Sequence, residues 1–233
     1  MSVLGRPRLH VRATTSTNDR ARALAAAGAP HGALVTAGEQ SAGRGRQGRT
    51  WAAPPGRALL LSLLLRSYDP LLPLRAGLAV ADLAGAAALV KWPNDVLVDG
   101  RKLAGVLVEA RPQSGWAVLG VGVNVAVDLA ELPPDVRVGA ATLGRRPEAL
   151  EETLDELLAL LERRLAEPAA ACLSSLRARD ALLGRPVSWA GESGTGAGID
   201  DTGALVVRSA DGGLHTLEAG EVHLGDGLSL GVL

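Results

Sequence analysis

Two lysines, Lys91 and Lys102, stand out because nearly every other basic residue of the chain is arginine. Coding bias explains the excess of arginine, yet two positions keep a compact ammonium group that a planar guanidinium does not replace. Both lie in a short stretch, within the motifs KWPND (91–95) and KLAG (102–105), with an Asp-Gly hairpin signal between them. Two ammonium groups on neighbouring strands repel unless an anion lies beside them. The spacing therefore predicts an anion site, with two ordinary surface lysines as the alternative.

A segment rich in arginine and glycine, GRGRQGR at 43–49, is a second candidate for anion chemistry. No acidic residue lies between Glu39 and Asp69, whereas five arginines do. Glycine lets backbone N–H groups approach an anion, and a guanidinium fork matches carboxylate or phosphate oxygens. The segment lacks the Gly-Lys-Ser/Thr ending of a Walker A loop. It predicts a ligand loop, with a solvated surface loop or an RNA-binding Arg-Gly segment as the alternatives.

The strand-like run 115–127 divides its side chains between two different faces. Odd positions from 119 onward are Leu and Val, which predicts a core face, whereas the other face carries Gly120, Gly122 and Asn124. Glycines weaken a strand unless something must lie close to its backbone. We expect either a flat ligand over the two glycines, read by Asn124, or a helix packed tightly on the small residues.

A cluster of neutral polar residues, Ser16, Thr17 and Asn18 with Gln40, offers hydrogen-bond donors and acceptors without charge. Such a set suits a polar, uncharged head group. The alternative is that Ser-Thr-Asn only caps a helix.

Hydrophobic periodicity predicts the elements that must position these residues. Strands are expected at 9–13, 32–39, 58–66, 89–92, 102–110 and 115–127, and helices at 16–27, 73–88 and 148–165. Pro168 is expected to end the last of these, and a second helix to continue to about residue 183. Residues 41–57 are expected to form a long loop. Five short strands, at 187–189, 196–199, 204–208, 213–217 and 221–224, predict a small barrel. The sequence thus predicts an α+β protein with domains at 1–181 and 182–233.

Composition excludes several other classes of protein. A hydrophobic content of 47% and a net charge of −1 are those of a globular chain. No apolar run has the length of a membrane span or signal peptide. The single Cys172 excludes a disulfide framework, and four scattered histidines argue against a zinc site. We expect a soluble, cytoplasmic protein.

Taken together, these motifs resemble those of biotin protein ligases. The polar cluster, GRGRQGR with Trp51, KWPND, KLAG and GVGVN at 120–124 occur in the same order over nearly the whole chain. The resemblance implies a catalytic domain like that of class II aminoacyl-tRNA synthetases, a mixed sheet with helices on one side, followed by an SH3-like barrel. It also implies a short form that lacks an N-terminal DNA-binding domain, because the motifs begin close to Met1.

The reaction implied by the resemblance has two steps. Biotin and ATP with Mg²⁺ give biotinyl-5′-AMP and pyrophosphate, and biotin then passes to one lysine of a biotin carboxyl carrier protein. Charge neutralisation around the α-phosphate is the expected main catalytic contribution. The expected partner is the carrier protein, without DNA, RNA or a membrane, and a homodimer is a possible assembly.

The resemblance also implies roles for individual residues. By this resemblance, the ureido head of biotin is bound by Ser16, Thr17, Asn18 and Gln40. The carboxylate of biotin and the α-phosphate are bound by Arg44, Gly45, Arg46 and Lys102. The nucleotide site comprises Arg44, Arg46, Arg49, Trp51, Lys91, Gly120, Gly122 and Asn124. Lys102, Arg46 and Asp95 are the implied catalytic residues, with Asp95 either a Mg²⁺ ligand or a base for the incoming lysine.

Two rival functions make different demands on the same residues. A lipoate or octanoate ligase of related fold needs an apolar tunnel, which leaves the polar cluster at 16–18 unexplained. A non-catalytic RNA binder with an arginine loop needs a wider basic surface and stacking aromatics, and aromatics make up only 2% of the chain.

Overall fold

The structure is a computed structural model that describes residues 4–225. Its first seven strands are β1 (Arg8–Val11), β2 (Leu34–Ala37), β3 (Ala58–Leu65), β4 (Ala88–Lys91), β5 (Asp95–Val98), β6 (Arg101–Arg111) and β7 (Trp116–Asn124). They form one sheet in the order β1-β2-β3-β7-β6-β5-β4. β1 and β2 run parallel, and the other neighbours are antiparallel. The sheet is therefore mixed, as predicted.

Helices cover both faces of this sheet. They are α1 (Thr17–Ala26), α2 (Leu72–Ala84), α3 (Pro134–Gly139), α4 (Leu150–Ala166) and α5 (Ala169–Ala178). On β7, Leu119 and Val121 join the main core beneath α2 and α4, whereas Val118 packs with Ala21 and Ala25 of α1. The expectation of helices on one side was therefore incomplete, because the alanine face of α1 fits closely against the opposite side. Within residues 4–225, no helix is both long enough and apolar enough to cross a membrane.

The two-faced pattern predicted for 115–127 is confirmed on β7. Leu119, Val121 and Val123 are buried in the main core, and Val125 continues the same row just beyond the strand. Gly120 and Gly122 therefore face the side of the sheet that carries α1. The strand separates the core from the surface on which the candidate site lies.

Five further strands form a second, antiparallel sheet. They are β8 (Pro186–Trp189), β9 (Glu192–Ile199), β10 (Leu205–Ser209), β11 (Leu214–Leu217) and β12 (His223–Leu224), in the order β11-β10-β9-β8-β12. All five strands predicted after Gly184 are thus present. The remaining residues of the two predicted domains, 1–3 and 226–233, lie outside the described part of the chain.

One strand, β5, was not predicted, and its presence changes the relative position of Lys91 and Lys102. The turn at Asp99 and Gly100, both with positive φ (51° and 74°), joins β5 to β6. The chain has already turned back once, from β4 into β5. The predicted pairing of the Lys91 strand with the Lys102 strand was therefore wrong, because β5 lies between them. Its four residues follow directly on a Pro-Asn turn signal, which hid them within an apparent loop.

Candidate active site

A cleft opens on the side of the sheet that carries α1. It lies between the start of α1, the loop that follows β2, and strands β3, β6 and β7. The lining residues are Ser16, Thr17, Asn18, Gln40, Arg44, Gly45, Arg46, Arg49, Thr50, Trp51, Leu61, Asn94, Lys102, Gly105, Val106, Leu107, Gly120, Val121 and Gly122. Among the predicted site residues, Lys91, Asp95 and Asn124 do not line it.

The polar cluster at the start of α1 is hydrogen-bonded to Gln40. The backbone N–H and the hydroxyl of Thr17 both donate to Gln40 Oε1, at 2.7 and 3.1 Å. Since this oxygen is engaged twice, the group that Gln40 offers a ligand is its Nε2 donor. Ser16 occupies the N-cap position with extended backbone, but its side chain makes no capping hydrogen bond within residues 4–225. Helix capping alone therefore does not account for Ser16.

Ser62 is a buried site residue that the sequence analysis missed. It lies in the middle of β3, a strand whose other residues are Ala and Leu and whose every position is buried. Ser62 Oγ lies 2.8 Å from Thr17 Oγ1 and 2.6 Å from Asn18 Oδ1. The signal was a single hydroxyl within an apolar run, since a buried hydroxyl needs a partner.

Glu109, near the end of β6, is a second missed residue. Its Oε2 accepts a hydrogen bond from Asn18 Nδ2 at 2.7 Å, and its Oε1 accepts one from Arg22 Nη1 at 2.9 Å. Arg44 of the GRGRQGR loop lies 3.4 Å from the same Oε2 and also pairs with Asp19, as does Arg22. Acidic side chains of the protein thus hold part of the arginine loop against α1.

Two side chains cover the glycine face of β7. A Cβ added to Gly120 would lie 2.2 Å from Asn18 Oδ1, and one added to Gly122 would lie 2.5 Å from the Trp51 ring. Trp51 also covers Gly105 of β6 and is 6% exposed. The glycines are therefore required by close approach, although the contacts are protein side chains where we expected a flat ligand or a packed helix. Within residues 4–225, Trp51 Nε1 is buried without a hydrogen-bond partner.

The carboxylate of Asp95 lies between the two lysines. Lys102 Nζ is 3.1 Å from Asp95 Oδ1, and Lys91 Nζ is 3.8 Å from Asp95 Oδ2. The predicted anion beside the lysines is thus supplied by β5 itself. Burial, aided by the nearby charges of Lys102 and Arg49, lowers the pKa of Lys91 below its ordinary 10.5, although Asp95 opposes this shift. Both lysines are buried, which makes the alternative of ordinary surface lysines wrong.

An irregularity in strand pairing directs Lys102 into the cleft. The register of β5 and β6 shifts between Val96 and Leu97, so that Val96 faces Ala104 and Leu97 faces Lys102. The extra residue brings Lys102 to the same side as Gly105, where its ammonium lies 5.5 Å from the centre of the Trp51 ring. This distance is typical of a cation–π contact. β-Bulges commonly re-aim a side chain in this way next to a functional site.

The arginine loop is ordered by contacts at several points. Arg46 Nη1 donates to Asn94 Oδ1 at 3.1 Å, and burial together with Arg49 lowers the pKa of the Arg46 guanidinium. Arg49 pairs with Glu221, just before β12, at 2.7 Å. The loop is therefore tied to the KWPND turn and to the second sheet. The predicted excess of positive charge is only partly available to a ligand.

Asn124 lies at the end of β7 beneath the chain that follows α3. It is fully buried, and its Nδ2 donates to the backbone oxygen of Ala141 at 2.9 Å. Its Oδ1 is buried without a hydrogen-bond partner within residues 4–225. Asn124 does not line the cleft. Its Oδ1 is an acceptor that still needs a donor.

Asp95 belongs to no cluster of three or more candidate metal ligands in the described part of the chain. Within residues 4–225, no group of three or more His, Cys, Asp or Glu side chains could hold a metal ion. The described cleft combines neutral hydrogen-bonding groups at one end with Lys102 and the loop arginines at the other. It is suited to a ligand with a polar neutral head and an anionic end.

Comparison with known proteins agrees with this description. Residues 11–126 match the Biotin/lipoate A/B protein ligase family. The biotin–[acetyl-CoA-carboxylase] ligase of Paracoccus denitrificans is 36% identical, over 91% of this chain and 98% of that protein. The ligase of the same name from Mycobacterium tuberculosis is 38% identical, over 90% of this chain and 85% of that protein.

A solved structure shows the same fold. The biotin protein ligase from Aquifex aeolicus, in complex with biotin and ATP, aligns with a TM-score of 0.81 and 25% identity over 94% of this chain and 100% of that one. The expected α+β fold, like that of class II aminoacyl-tRNA synthetases, is confirmed. The chain belongs to the biotin/lipoate A/B protein ligase family.

Proposed function

We propose that the chain is a biotin protein ligase. It activates biotin with ATP to biotinyl-5′-AMP and transfers biotin to a lysine of a biotin carboxyl carrier protein. The observation that carries the proposal is the cleft itself, where a neutral polar cluster and a cationic group lie within one continuous site. The relatives from Paracoccus denitrificans and Mycobacterium tuberculosis are both named biotin–[acetyl-CoA-carboxylase] ligases.

The neutral end of the cleft suits the ureido ring of biotin. This ring has one acceptor oxygen and two N–H donors, and it carries no charge. Gln40 offers its Nε2 donor, while Asn18 Oδ1 and the hydroxyls of Ser16 and Thr17 complete a set with both donors and acceptors. Because a buried polar group left unpaired is costly, such a site discriminates strongly against a ligand without the ureido ring.

The cationic end suits a carboxylate that attacks a phosphate. Lys102, Arg44, Arg46 and Arg49 line the cleft beyond Trp51, and Gly45 keeps the loop backbone open to the ligand. Repulsion between the carboxylate of biotin and the α-phosphate of ATP is the main barrier, so fixed positive charge is the largest catalytic term. Mg²⁺, as part of the nucleotide substrate, would supply further positive charge at the phosphates.

Asp95 and Lys91 do not line the cleft, and we propose that they hold Lys102 in position. The carboxylate of Asp95 lies 3.1 Å from Lys102 Nζ, which favours a role in holding this ammonium over metal ligation or proton transfer. Lys91 places a second positive charge beside the same carboxylate, with its Nζ 3.8 Å from Asp95 Oδ2. Trp51, Gly120 and Gly122 are proposed for the nucleotide, with Trp51 Nε1, which has no hydrogen-bond partner within residues 4–225, as a donor that bound ligand would engage. Asn124, buried and outside the cleft lining, is proposed to support the nucleotide site without touching the ligand.

The first experiment measures pyrophosphate release and acceptor labelling. We expect release that requires both biotin and ATP, and labelling of one lysine in a carrier domain. Cytoplasmic action and a homodimer remain part of the proposal, and the second is checked by light scattering at several concentrations.

Lipoate is the second candidate substrate, since the family includes both kinds of ligase. Thermal-shift titration with biotin and with lipoate separates the two. Stabilisation by lipoate alone would contradict the proposal. RNA affinity without biotin-dependent pyrophosphate release would instead support the binding-module alternative.

A further inference from the structure

Glu109 of β6, a partly exposed residue, makes a hydrogen bond to Asn18 whose direction is fixed. A carboxylate only accepts hydrogen bonds, and Asn18 Nδ2 lies 2.7 Å from Glu109 Oε2. The amide nitrogen of Asn18 must therefore face Glu109. Its oxygen must face the opposite way, toward Ser62 and the cleft.

Ser62 cannot impose this direction by itself. A hydroxyl both donates and accepts, so Ser62 Oγ would satisfy either the oxygen or the nitrogen of the Asn18 amide. In a flipped Asn18, the amide nitrogen would donate to Ser62 Oγ. Ser62 would then give its own proton to Thr17 Oγ1, which lies 2.8 Å away. Ser62 therefore has a hydrogen-bond partner in both orientations of the Asn18 amide. The carboxylate of Glu109 is thus the group that distinguishes them.

The direction of the Asn18 amide decides what the cleft offers a ligand. In the observed orientation Oδ1 lies directly above Gly120, accepts one proton from Ser62 and keeps a second lone pair. It is an acceptor for a ligand N–H. The flipped amide would present a donor at the same place, beside the Nε2 donor of Gln40, and would repel an N–H group.

Glu109 is itself held in place by charge. Arg22 Nη1 donates to its Oε1 at 2.9 Å, and Arg44 lies 3.4 Å from its Oε2. Asp19 pairs with both arginines but has no hydrogen bond to Asn18 among those the structure describes. This separation provides a matched control, because Asp19 shares the charge network and not the contact with the amide.

We propose that Glu109 is a positioning residue that fixes the Asn18 amide with its oxygen toward the cleft, and so makes the site selective for a head group that presents N–H donors. The inference rests on the proposed function, since it assigns the ureido N–H of biotin as the group recognised. Glu109 acts through Asn18 and does not touch the ligand.

The test is a double-mutant cycle on biotin affinity, measured by calorimetry with the full chain. Glu109→Ala should weaken biotin binding about tenfold, the effect of losing one hydrogen bond that a charged group holds in place. In an Asn18→Ala background the same change should have little further effect, because the two residues act as one unit. Glu109→Gln, which keeps an acceptor oxygen, should recover most of the affinity.

Two further measurements exclude a merely structural effect. Asp19→Asn disturbs the same arginines and should leave biotin affinity within about twofold of wild type. In pyrophosphate-release assays, Glu109→Ala should raise the KM for biotin and leave kcat at saturating biotin nearly unchanged.

The outcomes separate this inference from the function on which it rests. Effects of Glu109→Ala and Asn18→Ala that simply add, or an equal loss in Asp19→Asn, would overturn the positioning role while biotin binding by wild type stood. If Glu109→Ala fails to fold, Glu109→Met takes its place, because it keeps the length of the side chain and removes the acceptor. A loss of about tenfold with Asn18 present and little further loss in the Asn18→Ala background supports the positioning role, and additive losses overturn it. A wild-type chain that bound no biotin would remove both proposals.

Discussion

The ammonium of Lys102 lies 3.1 Å from the carboxylate of Asp95, and a shift in strand register places this pair at the edge of the cleft. The contact fixes a single point charge where a carboxylate and a phosphate are proposed to meet. It also limits the room around that charge, because Trp51 lies on the other side of the lysine.

Replacing Lys102 by arginine should damage the reaction although the charge is kept. A planar guanidinium is wider than an ammonium and would not fit both Asp95 and the Trp51 ring. We expect a fall on the order of a hundredfold in biotin-dependent pyrophosphate release. Arg101→Lys, at the exposed neighbouring position, is the matched control. Wild-type turnover in Lys102→Arg would contradict the assigned role.

Replacing Arg46 by glycine should loosen the loop over the cleft. The change removes the 3.1 Å hydrogen bond to Asn94, which ties the loop to the turn before β5. Biotinyl-5′-AMP should then escape before transfer, and added bystander proteins should become labelled on their lysines. Mass spectrometry of a protein mixture measures this. An unchanged labelling pattern, relative to an Arg111→Gly control, would remove Arg46 from loop closure.

The salt bridge between Arg49 and Glu221 predicts that the second sheet affects nucleotide use. Glu221→Gln removes the partner that holds Arg49 at 2.7 Å, so the loop loses one of its anchors. We expect the KM for ATP to rise by about two- to fivefold, since an exposed pair contributes about 1 kcal/mol or less. Biotin affinity should not change. The exposed Glu218→Gln serves as the control, and equal effects of both variants would argue against a specific contact.

Asp82, on α2, should stabilise the fold at neutral pH and lose this effect in acid. Burial favours its neutral form, but Arg164, Arg163 and Arg179 outweigh burial and lower its pKa below the ordinary 3.8. A lowered carboxyl pKa contributes stability above the unfolded pKa, and this is lost as pH falls through the folded pKa.

The corresponding variant is Asp82→Asn, studied by urea denaturation. At neutral pH the free energy of unfolding should fall by about 2 kcal/mol, because a hydrogen-bonded charge pair is broken. The difference from wild type should shrink as the pH falls below the folded pKa. A difference that stays constant through the acid range would show that the ion pairs do not cause it.

Sequence patterns predicted most elements and most of the cleft. The alternation in β7 located Gly120 and Gly122 on the site face, because one side of that strand is almost purely Val and Leu. Rare residue types located Lys102. These signals are local, so they are readable from short stretches of chain.

Long-range partners were not predictable in the same way. Ser62 and Glu109 gain their roles only because β3, β6 and α1 meet in space, 44 and 91 residues from Asn18 along the chain. β5 was missed because four residues beside a turn signal carry too little periodicity. The contacts of the loop arginines with Asp19 and Glu221 likewise depend on tertiary structure.

The enclosure of both lysines has a consequence for acyl-transfer chemistry. Lys91 and Lys102 are 6% and 9% exposed, and residues 1–3 and 226–233 contain no lysine. Every other basic side chain that carries a permanent charge is a guanidinium, which is a far poorer nucleophile than an amine because it stays protonated. The side chains of the outer surface are therefore nearly unreactive toward activated esters. Amine-directed fluorophores or crosslinkers would need a lysine introduced at a chosen surface site to label a side chain, and that residue would be the one exposed lysine of the chain.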